Sequence, residues 1–95
     1  MIVVVDGRYR VQGPVTFATV QQILEQAKLP FDGGAVRVDL SEITETDSSA
    51  IALLLHWVRL TLERQATIRF ENPGENLKAL AALYEVESLL PGIQS

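Results

Sequence analysis

The chain has 95 residues, enough for one domain and too few for two, so we expect a single unit spanning residues 1–95. Its residues are 47% hydrophobic and 21% charged, which favours a packed core over disorder. The absence of cysteine excludes disulfides and thiolate metal or redox sites. A net charge of −4, with Lys and Arg scattered along the sequence, argues against a nucleic-acid partner.

The apolar runs of the sequence are too short for a targeting or membrane segment. Asp6 and Gly7 end the run from Ile2 to Val5, which no basic region precedes, and His56 interrupts the later run from Ile51 to Leu55. A membrane span needs about 20 apolar residues. We therefore expect no signal peptide, no direct membrane insertion and a soluble, cytoplasmic protein.

The first third of the sequence predicts a β-hairpin followed by a helix. Ile2 to Val5 and Tyr9 to Gln12 are rich in β-branched and aromatic residues, and Asp6-Gly7 between them suits a tight turn. After Gly13-Pro14, apolar residues recur at near-helical spacing, with Thr16 as a possible cap. The predicted helix contains Val15, Val20, Ile23, Leu24 and Ala27, ends near Leu29 before Pro30, and is followed by a loop at 31–34.

The rest of the sequence alternates strands and helices. Ala35 to Leu40 alternates apolar and polar residues, which predicts a strand ending at Ser41. Helical spacing runs from Ser48 to Glu63, Thr67 to Phe70 returns to strand composition, and another helix follows Glu75. Strands joined by a crossover helix pair in parallel. We predict an α/β fold with a mixed four-stranded sheet, three to four helices and the order β-β-α-β-α-β-α.

The start of the helix at Ser48 is the first candidate site. Asp47 precedes this helix and is placed to cap it, with its carboxylate accepting hydrogen bonds from backbone N–H groups. Ser48 then lies at the positive end of the helix dipole, where added negative charge is tolerated. Ser49 is either a partner contact or a solvated first-turn residue.

The same helix carries two apolar stripes. At 100° per residue, one stripe faces the core, and a second projects to the other side. Either neighbouring helices cover the second stripe, or it is an exposed patch in which Trp57 anchors a partner. For Trp57 we predict a place on the partner surface, because it lies about 120° from the centre of the core stripe. The core stripe contains Ile51, Leu54, Leu55, Val58 and Leu62, and the second contains Leu53, Trp57 and Leu60 with Ser49 and His56 beside them.

Other kinds of site have little support in the sequence. There is no Gly-rich phosphate-binding loop, so nucleotide binding has no motif, and the single histidine, His56, has no partners for a metal site or a catalytic triad. The carboxylates before the helix are expected to surround a loop, either solvated or forming a cation site or an acidic rim. They are Asp39, Glu42, Glu45 and Asp47.

Two segments resemble a known family. Val38-Asp39-Leu40-Ser41 followed by Asp47-Ser48-Ser49-Ala50 is similar to STAS domains of sulfate transporters and anti-sigma factor antagonists, in which a strand ending in Asp-Leu-Ser leads to an acidic-hydroxyl helix start. The family usually has Gly in place of Ala50. Within the family, Ala52 to His56 and Leu80 to Pro91 resemble the MlaB-type subunits of Mla phospholipid transport systems.

The resemblance implies a regulatory docking module that is not an enzyme and has no cofactor or metal. A MlaB-type subunit binds the cytoplasmic ATPase of an inner-membrane ABC transporter that maintains outer-membrane lipid asymmetry, and is located at that membrane through its partner. The implied partner-binding residues are Asp47, Ser48, Ser49, Leu53, His56 and Trp57.

Two alternatives remain open. As an anti-sigma factor antagonist, the chain would bind an anti-sigma factor kinase and be released by phosphorylation at Ser48. As a third possibility, it would bind a small ligand or nucleotide.

Overall fold

The structure is a computed structural model that describes residues 2–5, 8–26 and 34–93. In this part of the chain, four strands form one sheet with the strand order β1-β2-β3-β4. The strands are β1 (Ile2–Val5), β2 (Arg8–Val15), β3 (Ala35–Thr46) and β4 (Thr67–Glu71). The helices are α1 (Val20–Gln26), α2 (Ser48–Glu63) and α3 (Glu75–Leu83), and a 3₁₀ turn follows at Glu87–Leu89. The predicted fold class and element order are confirmed.

The sheet is mixed, as predicted. β1 pairs with β2 in antiparallel fashion, whereas β2 with β3 and β3 with β4 are parallel. The predicted pairing of the first two strands is therefore present, while its turn at Asp6-Gly7 lies outside the described residues. The predicted end of the first helix and the loop at 31–33 lie outside them as well.

β2 and β3 both run further than predicted. β3 continues past Ser41 to Thr46 and pairs there with the end of β2, so that Gly13 lies opposite Ile43 and Val15 opposite Thr46. Gly13-Pro14 does not end β2, because a shift in register at this point accommodates a proline that lacks an N–H. The expectation that residues 42–46 form a loop is therefore wrong.

α1 begins later than predicted. Val15 belongs to β2 and is buried, and a turn at residues 16–19 precedes the helix at Val20. The backbone N–H groups of Thr19 and Val20 donate to the carbonyl of Thr16 at 3.0 and 2.9 Å. The hydroxyl that caps this turn belongs to Thr19, which accepts from the N–H of Thr16 at 3.0 Å.

α2 has the predicted bounds, and Ile51 and Leu54 of the predicted core stripe are buried, but other positions differ from the prediction. Trp57 is 1% exposed and Leu53 is 3% exposed, whereas Leu62 is 73% exposed. α2 packs against β4 and has α1 and α3 on its flanks, so the second stripe is covered. Thr61 is buried instead of Leu62, and its hydroxyl donates to the carbonyl of Val58 at 2.7 Å. The alternative in which neighbouring helices cover the second stripe is therefore the correct one, and the prediction that Trp57 belongs to a partner surface rather than to the core is wrong.

The C-terminal segment covers the free edge of β4. The N–H of Phe70 donates to the carbonyl of Pro91 at 2.8 Å, and the neighbouring Leu90 and Ile93 are buried. This covers an edge that would otherwise present unpaired backbone groups.

The helices cover one face of the sheet, and the other face carries charged side chains. Val36, Val38 and Leu40 of β3 point into the core, so the alternating positions of the strands point away from it. These positions bring together Arg8, Arg10, Arg37, Arg69, Asp39 and Glu71. Four of the eight Lys and Arg residues, although scattered along the sequence, thus share one face in the folded chain.

Candidate functional site

Asp47 joins the start of α2 to the turn before α1. Its Oδ1 accepts the N–H of Ser49 at 2.8 Å, which confirms the predicted cap. Its Oδ2 accepts the N–H of Phe17 at 2.9 Å, a contact between segments far apart in sequence. The hydrogen bond from Phe17 is the main reason that the pKa of the Asp47 carboxyl lies below its ordinary value. The carboxylate of Asp47 therefore connects the turn before α1 to the first turn of α2.

Phe17 is the exposed aromatic residue of this site. It lies in the turn between β2 and α1, and 85% of its surface is exposed although its backbone is held by Asp47. Sequence analysis did not identify Phe17, because a single aromatic at the start of a predicted helix has no distinctive spacing. The available signal was its position between Thr16 and Thr19, two hydroxyl residues that are typical of a turn or a helix start.

An apolar groove separates α1 from α2 beside Phe17. Its volume is about 290 Å³. The residues that line it are Phe17, Val20, Leu24, Ser49, Ala52, Leu53 and His56. Three predicted site residues, Ser49, Leu53 and His56, therefore meet in one groove, although Leu53 is buried.

The remaining predicted residues divide into two groups. Ser48 is exposed as the first residue of α2, next to Asp47. Trp57 is inside the core and does not reach this surface. Ala50 is also buried, so the methyl group that replaces the family's glycine does not lie on the surface. His56 is half-buried, and its Nδ1 lies 3.3 Å from the guanidinium of Arg59, which can only donate.

The carboxylates of β3 do not form the predicted acidic loop. Asp39 is buried and pairs with Arg10, whose Nε lies 3.2 Å from its Oδ2. Burial raises the pKa of Asp39, but hydrogen bonds from Ser41, Asn72 and Arg10 outweigh burial and hold it below its ordinary value. Among the described residues, no three His, Cys, Asp or Glu side chains are grouped so that they could hold a metal ion.

A second groove lies between the end of β3 and the start of α3. Its volume is about 280 Å³, and it is lined by residues 40–46, apart from Glu42, and by residues 74–77. Glu45 and Glu75 both line it, so it presents negative charge. This groove is a poor match for a phosphate-bearing ligand.

The mixed sheet, with helices on one face and a serine at an acid-capped helix start, defines a STAS-type domain. A family model described as "Mlab, STAS domain" matches residues 4–91, and the chain belongs to this family. A search of curated protein sequences finds no match. No helix in the described ranges has the length and hydrophobicity needed to cross a membrane.

Solved structures share the fold. The anti-sigma factor antagonist SpoIIAA in its unphosphorylated form matches with a TM-score of 0.67, covering 97% of this chain and 85% of that chain. The two sequences are 15% identical, so the likeness concerns the fold alone.

Proposed function

We propose that the chain is a non-catalytic docking subunit that binds the cytoplasmic ATPase of a phospholipid ABC transporter of the MlaFEDB type, which maintains outer-membrane lipid asymmetry. The chain is then cytoplasmic and held at the inner membrane by its partner. The match to the family model described as "Mlab, STAS domain" supports a role in a transport system of the Mla type. The observation that carries the proposal is the apolar groove between α1 and α2, with Phe17 exposed beside it.

This surface has the composition of a protein interface. Phe17, Val20, Leu24 and Ala52 supply an apolar centre, while Ser48 beside the groove and the groove-lining Ser49 and His56 supply a polar rim. Covering a side chain such as Phe17 contributes roughly 1.5–3 kcal/mol before the entropic costs of association. Because Asp47 already holds the backbone of Phe17, little ordering of this turn is needed on binding.

Capture of the ATPase by Phe17→Ala tests the proposal. We expect this variant to keep the wild-type thermal midpoint and to lose at least about tenfold in affinity, since truncation at an interface hot spot costs more than 1.4 kcal/mol. Leu83→Ala is the matched control, because Leu83 is 71% exposed at the end of α3 and outside the groove. Equal affinity of Phe17→Ala and wild type, or equal losses in both variants, contradicts the proposed surface.

Regulation as an anti-sigma factor antagonist is a second candidate, favoured by the exposure of Ser48. A phosphate on Ser48 adds a charge of about −1.5 to −2 next to the Asp47 carboxylate. Repulsion between them weakens the hydrogen bond to Phe17, so phosphorylation alters the groove without unfolding α2. In this case the partner is an anti-sigma factor kinase.

Two measurements separate the candidates. Mass spectrometry of the chain from its native host reports the phosphate on Ser48, and parallel pull-downs compare the ATPase with an anti-sigma factor kinase. Abundant phosphate with capture of the kinase favours the switch. An unmodified Ser48 with capture of the ATPase favours the transporter subunit.

A further inference from the structure

Three arginines form a row across the exposed face of the sheet. Arg37 of β3 lies directly opposite Arg69 of β4 in the strand register. Arg8 belongs to β2, which flanks β3 on the side opposite to β4. Arg8 and Arg37 both contact the carboxylate of Glu71, which places Arg8 in the same row. The next row along the strands contains Arg10, Asp39 and Glu71.

The row is electrostatically unfavourable by itself. Like charges directly opposite each other in a sheet are destabilising. Glu71 offsets part of this repulsion. Its Oε2 lies 2.6 Å from Nη2 of Arg37, and its Oε1 lies 3.5 Å from Nε of Arg8. Arg69 is exposed and has no ion pair within the described ranges. The row therefore keeps uncompensated positive charge.

The charge of this face is opposite to that of the whole chain. The two rows contain four guanidinium groups and two carboxylates and carry a net charge of +2, whereas the whole chain carries −4. Glu42 lies further along the same face, opposite Gln12. The positive charge is therefore local to the rows that contain Arg8, Arg37 and Arg69, on a chain that is negative as a whole. Such a face attracts and orients an acidic partner.

We propose that this arginine face binds an acidic segment of a partner protein, with its carboxylates bridging Arg8, Arg37 and Arg69. Guanidinium groups bind carboxylates through paired hydrogen bonds, for which arginine is better suited than lysine. The described residues of this face include no aromatic side chain on which bases could stack. An acidic protein segment matches the local positive charge of the arginine row and needs no aromatic side chain for binding.

The arginine face and the α1–α2 groove are on opposite sides of the sheet, so both can be occupied at once. A domain with two independent faces can connect two proteins. The inference is independent of the proposed function, because it does not depend on what enters the groove.

Binding of a fluorescent decaglutamate peptide to the full chain tests the inference. We expect saturable binding that weakens with added salt, and a loss of about fivefold in affinity for Arg69→Gln, equivalent to one exposed ion pair of about 1 kcal/mol. Arg69 is chosen because no ion pair within the described fold depends on it. The control is Arg64→Gln, which removes an exposed arginine from the helix side. It should leave the affinity unchanged.

Three results overturn the inference. The first is no binding of the peptide at low salt. The second is an equal loss for Arg64→Gln and Arg69→Gln, which shows a general charge effect. The third is sedimentation of the chain with phosphatidylglycerol vesicles without peptide binding, which shows a lipid-binding face instead.

Discussion

The backbone N–H of Phe17 donates a 2.9 Å hydrogen bond to Oδ2 of Asp47, and this contact ties the turn before α1 to the start of α2. The other oxygen of the same carboxylate caps α2 through Ser49. The position of Phe17 beside the groove therefore depends on a residue whose local role is helix capping. Removing the carboxylate should therefore affect both the helix and the proposed docking surface.

The Asp47→Asn variant separates these two roles. Its side-chain oxygen can still accept from Ser49, but its amide group then faces the N–H of Phe17 and cannot accept from it. We expect the thermal midpoint of Asp47→Asn, measured by circular dichroism, to lie close to that of the wild type, and its capture of the ATPase to be weaker. Asp47→Ala should lower both. Full capture by the asparagine variant contradicts the role assigned to the Phe17 contact.

A negative charge at Ser48 should disturb binding without disturbing the fold. We expect Ser48→Asp to melt near the wild-type midpoint, because an acid in the first turn is favourable to the helix dipole. Partner capture should weaken, since the new carboxylate lies next to Asp47 at the proposed docking surface. Ser88→Asp, at an exposed position in the 3₁₀ turn, is the control and should bind normally. Unfolding of Ser48→Asp, or wild-type binding by it, rules out this role for Ser48.

Truncation of Trp57 should destabilise the fold, and truncation of Leu62 should not. The sequence had indicated the reverse, with Leu62 in the core stripe and Trp57 on the surface. Trp57→Ala removes a side chain that is 1% exposed and should cost roughly 3–5 kcal/mol of unfolding free energy. Leu62→Ala changes a residue that is 73% exposed and should stay within about 0.5 kcal/mol. Denaturant unfolding measures both, and Trp57 fluorescence in the wild type should resist quenching by iodide. If Trp57→Ala barely changes the unfolding free energy and iodide readily quenches the wild-type fluorescence, Trp57 is exposed in solution and its assignment to the core is wrong.

Sequence alone predicted those features that depend on neighbouring residues. The bounds of α2 and the cap at Asp47 follow from local spacing and local hydrogen bonds, and both are present in the structure. The burial of Trp57 was missed because periodicity shows which residues share a helix face, but not how many faces other elements cover. α1 and α3 cover the flanks of α2, and that packing is not encoded in the helix itself.

Features that depend on strand register could not be predicted. Four of the five residues in segment 42–46 are polar, and the segment forms strand because β2 supplies its hydrogen-bonding partners. The arginine face is also invisible in the sequence, since Arg37 and Arg69 become neighbours only when β3 and β4 align. Phe17 likewise joins the site through one long-range hydrogen bond.

Asp39 should make stability depend on pH in the acid range. The pKa of Asp39 in the folded chain lies below the ordinary value of 3.8. The ionised carboxylate therefore contributes its full stabilisation above pH 3.8, and this stabilisation is lost as the pH falls through the pKa of the folded state. We expect Asp39→Asn to cost about 1–3 kcal/mol at neutral pH, because Arg10 loses its charged partner, and less in acid. Glu42→Gln, at an exposed position of the same strand, is the control for denaturant unfolding. A cost that does not change with pH contradicts this role.

Gly92 is the position at which the C-terminal segment can hold no side chain. Its φ is +93°, a left-handed conformation that costs other residues roughly 1–2 kcal/mol. A Cβ there would also collide with the backbone carbonyl of Phe70, the residue whose N–H binds Pro91. We therefore expect Gly92→Ala to lower the unfolding free energy by more than the backbone cost alone and to loosen the cover over β4.

Two other glycines supply graded controls for Gly92→Ala. Gly13 has φ +84° but open space around it, so Gly13→Ala should show the backbone cost without a collision. Gly74 has neither constraint, and Gly74→Ala should be close to neutral. Denaturant unfolding should rank the three variants in that order, and amide exchange should show faster opening at Phe70 in Gly92→Ala alone. Equal stability of Gly92→Ala and Gly74→Ala would mean that the C-terminal segment does not hold the edge of β4 in solution.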